Sequence, residues 1–322
     1  MSRCWNFAYS YEKVTLTSTF FNGAVRPPIS AIITDILPPD KRKLGFSLQY
    51  LGINLGVSLG PIVAGFLFKN YLPILFLGDA ITSFIAVSLV VINIKETNLK
   101  NINKVEALAE KKESENILQV LLQRPEIIAF LLIYIIYSAV YTQHIFSMPL
   151  MLNKLYMDRG AQLFGLLMSV NALTVITLTV IISNITKKLH ALSNVIIAGI
   201  LYAVGFGMIG IVKSFPLFVV STVLWTIGEI LIVTNFGTYV ANNSPANFRA
   251  RFSAVGSLSW ALGSTLGTSL MGKYISMMSI DMVWPLTFVL SCISSLLMFG
   301  LYTYSKRKDS VSSAASVDSS MS

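Results

Sequence analysis

The sequence predicts an all-α integral membrane protein of about nine transmembrane helices, and three observations carry that expectation. Of its 322 residues, 54% are hydrophobic and only 12% are charged, against roughly 25% charged in a typical soluble domain. Apolar stretches recur at close to the length, about 20 residues, that crosses a hydrocarbon core. Basic residues gather in alternate short loops, as topology signals do.

Spans are expected near residues 14–36, 44–68, 71–94, 127–152, 162–185, 191–212, 215–240, 250–275 and 282–304. In the first, Arg26 shares a helical face with Thr19, Asn22 and Ser30, a polar stripe flanked by Pro27 and Pro28 that suits a water-filled cavity. In the second, Gly52, Gly56 and Gly60 repeat every four residues, which lets a neighbouring helix approach closely, and Pro61 removes a backbone donor and can bend the helix. Asp79 enters the third span from one end and reads as a partner for a helix terminus. The stretch 95–126 is rich in Lys and Glu and reads as a solvated linker, with Ile117, Leu118, Leu121 and Leu122 at helical spacing near its end. The fourth span carries an aromatic stripe of Tyr134, Tyr137, Tyr141 and His144, readable either as packing or as a cavity wall. Glu229 sits near the middle of the seventh span, where a charge is costly and usually functional. The Ser-rich tail from Asp309 is expected to be disordered.

Sixteen Lys and Arg fall on one side of this topology and five on the other. The positive-inside rule makes the first side cytoplasmic, so the C-terminus is expected there. The +9 net charge therefore marks loops and does not point to nucleic acid. Cys4 and Cys292 alone offer no disulfide framework, and His144 and His190 alone build no metal site. No P-loop, HExxH or dinucleotide fingerprint is present, and no cofactor is expected.

A shift of 207 residues aligns Pro38 with Pro245, Arg42 with Arg249, Leu55 with Leu262, Gly56 with Gly263, Leu59 with Leu266, Gly60 with Gly267 and Gly65 with Gly272. The same shift places Asn22 on Glu229. Spans one to three thus repeat as spans seven to nine, and spans four to six have no counterpart. A protein of two six-helix halves would carry three further helices ahead of residue 14. With them the N-terminus returns to the cytoplasmic side.

On these residues the sequence resembles the major facilitator superfamily, and within it the drug:proton antiporter-like bacterial permeases. The segment Gly56-Val-Ser-Leu-Gly60-Pro61-Ile-Val-Ala64-Gly65 resembles the antiporter motif of that family's fifth helix, with Ser47 and Ala64 where two glycines are expected. Asp35, Pro38 and Arg42, repeated in part by Arg249, resemble a family loop motif, and Trp225-Thr-Ile-Gly-Glu229 is a further family-like stretch. The resemblance implies residues 14–94 as the remainder of an N-terminal half, 95–126 as a cytoplasmic central linker, 127–305 as a six-helix C-terminal half and 306–322 as a basic, Ser-rich tail. It implies a multi-pass permease of the cell membrane, moving a small hydrophobic or amphipathic solute by alternating access with proton-coupled efflux. Glu229 is then the expected proton-titrating group and Arg26 its electrostatic partner or a substrate anchor. Asn22, Tyr137, Tyr141, His144 and Trp225 are the expected cavity residues. Two alternatives stay open. One is an inactive, N-terminally truncated fragment. The other is an intramembrane hydrolase, because Gly56-Val-Ser58-Leu-Gly60 also matches G-x-S-x-G, a motif that needs a strand-to-helix turn.

Overall fold

The computed structural model describes residues 28–67, 71–93, 117–245 and 248–321, with side chains omitted over 57–67, 309–321 and at 72, 75, 117 and 118. Arg26, Asn22 and most of the expected linker lie outside the described residues. The first expected span is described only over 28–36, a helical segment (α1). The others follow as α2 (Pro39–Leu67), α3 (Leu72–Asn93), a short α4 (Ile117–Leu122), α5 (Pro125–Tyr141), α6 (Gln143–Tyr156), α7 (Gly160–Ile185), α8 (Ala191–Met208), α9 (Phe215–Asn243), α10 (Arg249–Met277) and α11 (Val283–Met321). No strand occurs among the described residues.

Five described stretches are long and apolar enough to cross a membrane: Phe76–Asn93, Pro125–Ile185, Ala191–Met208, Phe215–Asn243 and Ile280–Lys308. Pro125–Ile185 is two consecutive passes, divided by the 3-10 turn Met157–Arg159. Helices α2 and α10, 29 residues each, have the length but are rich in Ser and Gly, which lowers their hydropathy. The described helices therefore form a multi-pass membrane bundle.

Local sequence explains the helix ends. Pro125 opens α5 and Pro216 lies in the first turn of α9, where the missing N–H is not needed. His190 caps α8 by accepting from the Leu192 N–H at 3.2 Å. The fourth pass breaks at Thr142, between α5 and α6. Pro149 inside α6 cannot donate to the carbonyl four residues back, so the backbone ladder is already weakened beside the break. The final helix differs from expectation: it continues through the Ser-rich tail to Met321, since extending an existing helix needs no new nucleus.

The core of the main bundle, α5–α11, centres on Trp225, Phe206, Tyr202, Phe130 and Trp284, all buried. Close approach depends on glycine. A Cβ at Gly205 of α8 would stand 2.9 Å from the Trp225 backbone nitrogen, and one at Gly267 of α10 would stand 2.7 Å from Ala139 Cα. The two repeat copies differ here. Gly263 and Gly267 press against α5, whereas Gly52 and Gly56 of α2 meet nothing within 4 Å among the described residues. Helix α3 is likewise uncovered, with every described side chain but Ser88 exposed.

Basic helix ends meet at one end of the bundle and the remaining loops at the other. Lys308 pairs with Glu126 at the basic end, and Lys154 pairs with Asp281 at the opposite end.

Candidate functional site

Helix α9 is apolar enough to span, yet it presents Thr222, Trp225, Thr226 and Glu229 on successive turns, all buried. Spacings of three and four keep them on one face. Glu229 is 6% exposed, so its carboxylate oxygens need protein partners. Three side chains supply them. The Tyr50 hydroxyl of α2 donates to Oε1 at 2.5 Å, the Tyr141 hydroxyl of α5 donates to the same oxygen at 2.7 Å, and Asn171 Nδ2 of α7 donates to Oε2 at 2.9 Å. Asn171 also donates to Thr226 Oγ1 at 2.9 Å, which fixes the amide's orientation. Among the described residues no Lys or Arg pairs with Glu229. Among the described residues, charge on this group is met by neutral dipoles, which suits a carboxylate that also exists as the neutral acid.

An aromatic layer lies one turn away. His144 is buried with Nδ1 at 2.6 Å from the Tyr141 carbonyl, an oxygen beside the break at Thr142. Its ring centroid is 5.1 Å from that of Trp225, which stacks on Phe206 at 5.5 Å. The Trp225 indole N–H is buried and finds no acceptor among the described residues.

A cavity of about 680 Å³ opens between α1 and α2 on one side and α9 and α10 on the other. Phe46, Tyr134, Phe236 and Trp260 form its aromatic walls, and Ser30, Gln49, Ser253 and Ser257 add hydroxyls and an amide. Tyr50 belongs to this lining and also touches Glu229, so it stands between the cavity and the carboxylate.

Below Tyr50 the leading helices α1 and α2 are stitched to the main bundle. Ser47 Oγ lies 2.6 Å from Ser183 Oγ, Lys43 donates to Thr186 Oγ1 at 2.7 Å, and Arg42 donates to Asn242 Oδ1 at 2.8 Å. Arg249 forms an ion pair with Asp35. The 207-residue repeat relates Arg42 to Arg249 and Asp35 to Asn242. The two contacts are therefore one clasp made twice, once as an ion pair and once as a neutral hydrogen bond.

Of the expected site residues, Glu229, Tyr141, His144 and Trp225 come together. Tyr137 does not join them. Its hydroxyl donates to the Val195 carbonyl at 3.1 Å and its ring packs against α8 at Gly199, so it serves helix packing. Asp35, Arg42 and Arg249 meet at the basic end as the clasp. Gly60, Pro61 and Gly65 lie within the unbroken helix α2. Ser58 lies in that helix too, not at the strand-to-helix turn that a hydrolase nucleophile requires. Tyr50 and Asn171 were not among the expected residues. The signal for Tyr50 was its spacing from Lys43 and Ser47, seven and three residues along one face of α2.

These features define a helical membrane transporter fold, with a buried carboxylate beside an inter-helix cavity. A family profile described as Major Facilitator Superfamily matches residues 15–268, and the chain belongs to that family of transporters. Its relatives include the uncharacterized MFS-type transporter YqjV of Bacillus subtilis (strain 168), 22% identical over 85% of this chain and 66% of that protein. Another is a Na(+), Li(+), K(+)/H(+) antiporter of Planococcus maritimus, 24% identical over 74% of this chain and 61% of that protein. The crystal structure of the human organic anion transporter MFSD10 (TETRAN) is similar in fold, with a TM-score of 0.65, 16% identity, and coverage of 84% of this chain and 66% of that one. The chain spans about two thirds of the length of these relatives.

Proposed function

We propose that the chain acts as a secondary active transporter of a small hydrophobic or amphipathic solute, coupled to protons through Glu229 by alternating access. The observation that carries this reading is the carboxylate of Glu229, buried at mid-bundle and held by Tyr50, Tyr141 and Asn171 without a cationic partner among the described residues. Losing a proton there leaves a charge that neutral dipoles offset among the described residues, so deprotonation favours a state in which water or a cation reaches the group. The aromatic walls of the cavity suit an apolar, flat solute.

A second reading is exchange of a monovalent cation for protons. The printed name of the Planococcus maritimus relative favours it, and so does the oxygen-rich surrounding of Glu229, with Thr226 and two phenols close by.

The test uses proteoliposomes holding an entrapped pH-sensitive dye. Amphipathic dyes and, separately, Na⁺, K⁺ or Li⁺ are added under a pH gradient. Proton movement on adding one class, lost in Glu229→Gln, supports coupling at this residue and identifies the class. Proton movement that persists in Glu229→Gln makes the residue structural. The assay is run on the chain alone and on a fusion with a leading three-helix unit from a relative. Transport by the chain alone rules out the inactive-fragment reading. Location in the cell membrane with a cytoplasmic C-terminus is proposed from the basic loops. Cysteines at Lys188 should resist impermeant thiol reagents in intact cells, and cysteines at Asp158 should react.

A further inference from the structure

Glu229 draws its hydrogen-bond donors from two bodies of the protein. Tyr141 and Asn171 stand on α5 and α7 of the main bundle, the same body as Glu229 itself. Among the described residues, Tyr50 alone comes from the leading helices. It is also the deepest rung of a ladder on one face of α2, since Lys43 bonds Thr186, Ser47 bonds Ser183 and Tyr50 bonds Glu229. The cavity reaches it from the other side.

Three donors aimed at two oxygens fit an ionised carboxylate, which only accepts. The neutral acid carries one O–H that must itself donate. A proton taken from cavity water and bonded to one carboxyl oxygen therefore removes the charge that strengthens all three bonds, while every phenol keeps its own proton. Tyr141 and Asn171 stand on helices of the same bundle as Glu229, whereas Tyr50, packed against Val175 and Ile230, stands on α2 and lines the cavity. We propose that Tyr50 is the positioning residue that couples the ionisation of Glu229 to closure of the seam between the leading helices and the main bundle. With Glu229 ionised, Tyr50 completes the ladder and the seam is closed. With Glu229 neutral, the Tyr50 bond yields and the seam opens toward the cavity. This rests on the reading of Glu229 as the proton-carrying group.

Among the described residues, the titratable groups facing Glu229 are Tyr50 on α2, Tyr141 on α5 and Tyr202 on α8, and α7 presents Asn171. His144 on α6 lies one turn away against Trp225. Lys43, lower in the ladder, is the other ionisable group of the seam, brought down to about 8 by burial. Its titration runs above neutrality and is separated from Glu229 by the variants below.

The experiment uses the full chain in proteoliposomes with both native cysteines replaced by Ser and a reporter cysteine at Ser257, an exposed residue of the cavity lining. The labelling rate by a thiol reagent is followed from acid to neutral pH and divided at each pH by that of a reference cysteine at the exposed Asp158, which removes the thiolate's own pH dependence; every rate below is this ratio. The parent should label faster at acid pH. Tyr50→Phe keeps the ring and removes only the bond. It should label fast at every pH, about fivefold above the parent at neutral pH, the shift expected for one net hydrogen bond. Tyr141→Phe should keep a pH dependence with a displaced midpoint. If Glu229→Gln abolishes the pH dependence and Tyr50→Phe leaves it as in the parent, the proton reading stands and the Tyr50 proposal is wrong. If Glu229→Gln also leaves it unchanged, both fall. A second measurement leaves Tyr50 in place: the double variant Ser47→Cys, Ser183→Cys, equilibrated with a glutathione redox buffer so that the thiolate's own rate dependence drops out, should have a larger disulfide equilibrium constant at neutral than at acid pH, and equal constants would overturn the proposal.

Discussion

The Tyr50 hydroxyl donates to Glu229 Oε1 at 2.5 Å, across 179 residues of sequence and from α2 to α9. One residue faces the cavity and the other is sealed behind it. That single bond connects the place where a solute has room to the place where a proton can be held, and three of the predictions below concern the seam and carboxylate it joins.

The clasp at the basic end should be tunable through its neutral arm. Arg249 pairs with Asp35, and Arg42 donates to the neutral amide of Asn242. Asn242→Asp makes the second arm ionic. Because Asn242 is exposed, the gain is about 1 kcal/mol at most, or about fivefold in a two-state equilibrium. Labelling of a cysteine at Ser257 should slow accordingly, more so at low salt. Unchanged labelling would remove the clasp from the closing machinery.

Lys43 gives a stability effect with a defined sign. Its amine is buried against Thr186 Oγ1, and burial lowers it from an ordinary 10.5 to about 8. The folded group is thus depressed relative to the unfolded one. The folded state binds fewer protons between these values, so stability rises with pH from about 8 to 10.5. Below this window both states are charged and the destabilisation is fully present. Lys43→Met should melt higher than the parent at pH 7 in detergent, and the difference should shrink as pH approaches 10. A constant difference across that range would show that burial of charge is not the cause.

Two glycine substitutions should part company. Gly205→Val drives a side chain into the Trp225 backbone, which cannot move without separating α8 from α9. Overpacking of this kind costs about 1–3 kcal/mol. Gly52→Ala meets nothing within 4 Å and gains helix propensity, roughly 0.5–1 kcal/mol. Thermal unfolding in detergent should show the first variant lowered and the second level or raised. A Gly205→Val variant as stable as the parent would mean that α8 and α9 do not pack this closely.

Much of the architecture was legible because membrane helices announce themselves by length and hydropathy, and the repeat placed Arg42 beside Arg249 as equivalents before any contact was known. Glu229 was legible for the same reason, as a charge in an apolar run. What the run of residues could not give was pairing between helices. Tyr137 and Tyr141 are one turn apart on one helix, yet the first turns into α8 and the second reaches Glu229. The break at Thr142 lies just beyond Tyr141, and no periodicity encodes it. Tyr50 and Asn171 were hidden because each is a single polar side chain in a span that also carries Ser, Thr or Asn, and only the fold selects the one that bonds the carboxylate. The Ser-rich tail was misjudged on composition, since α11 carries it as a continuation of a helix already formed.

The central claim is that Glu229 exchanges a proton within the membrane-embedded bundle. Infrared difference spectra of the reconstituted chain, recorded across a pH titration, test it most directly. The account predicts a carboxylic C=O band that vanishes as pH rises, is absent from Glu229→Gln, and is displaced in frequency in Tyr50→Phe. A band that persists unchanged in Glu229→Gln, or no titrating band assignable to Glu229 over the range where transport varies with pH, would contradict it.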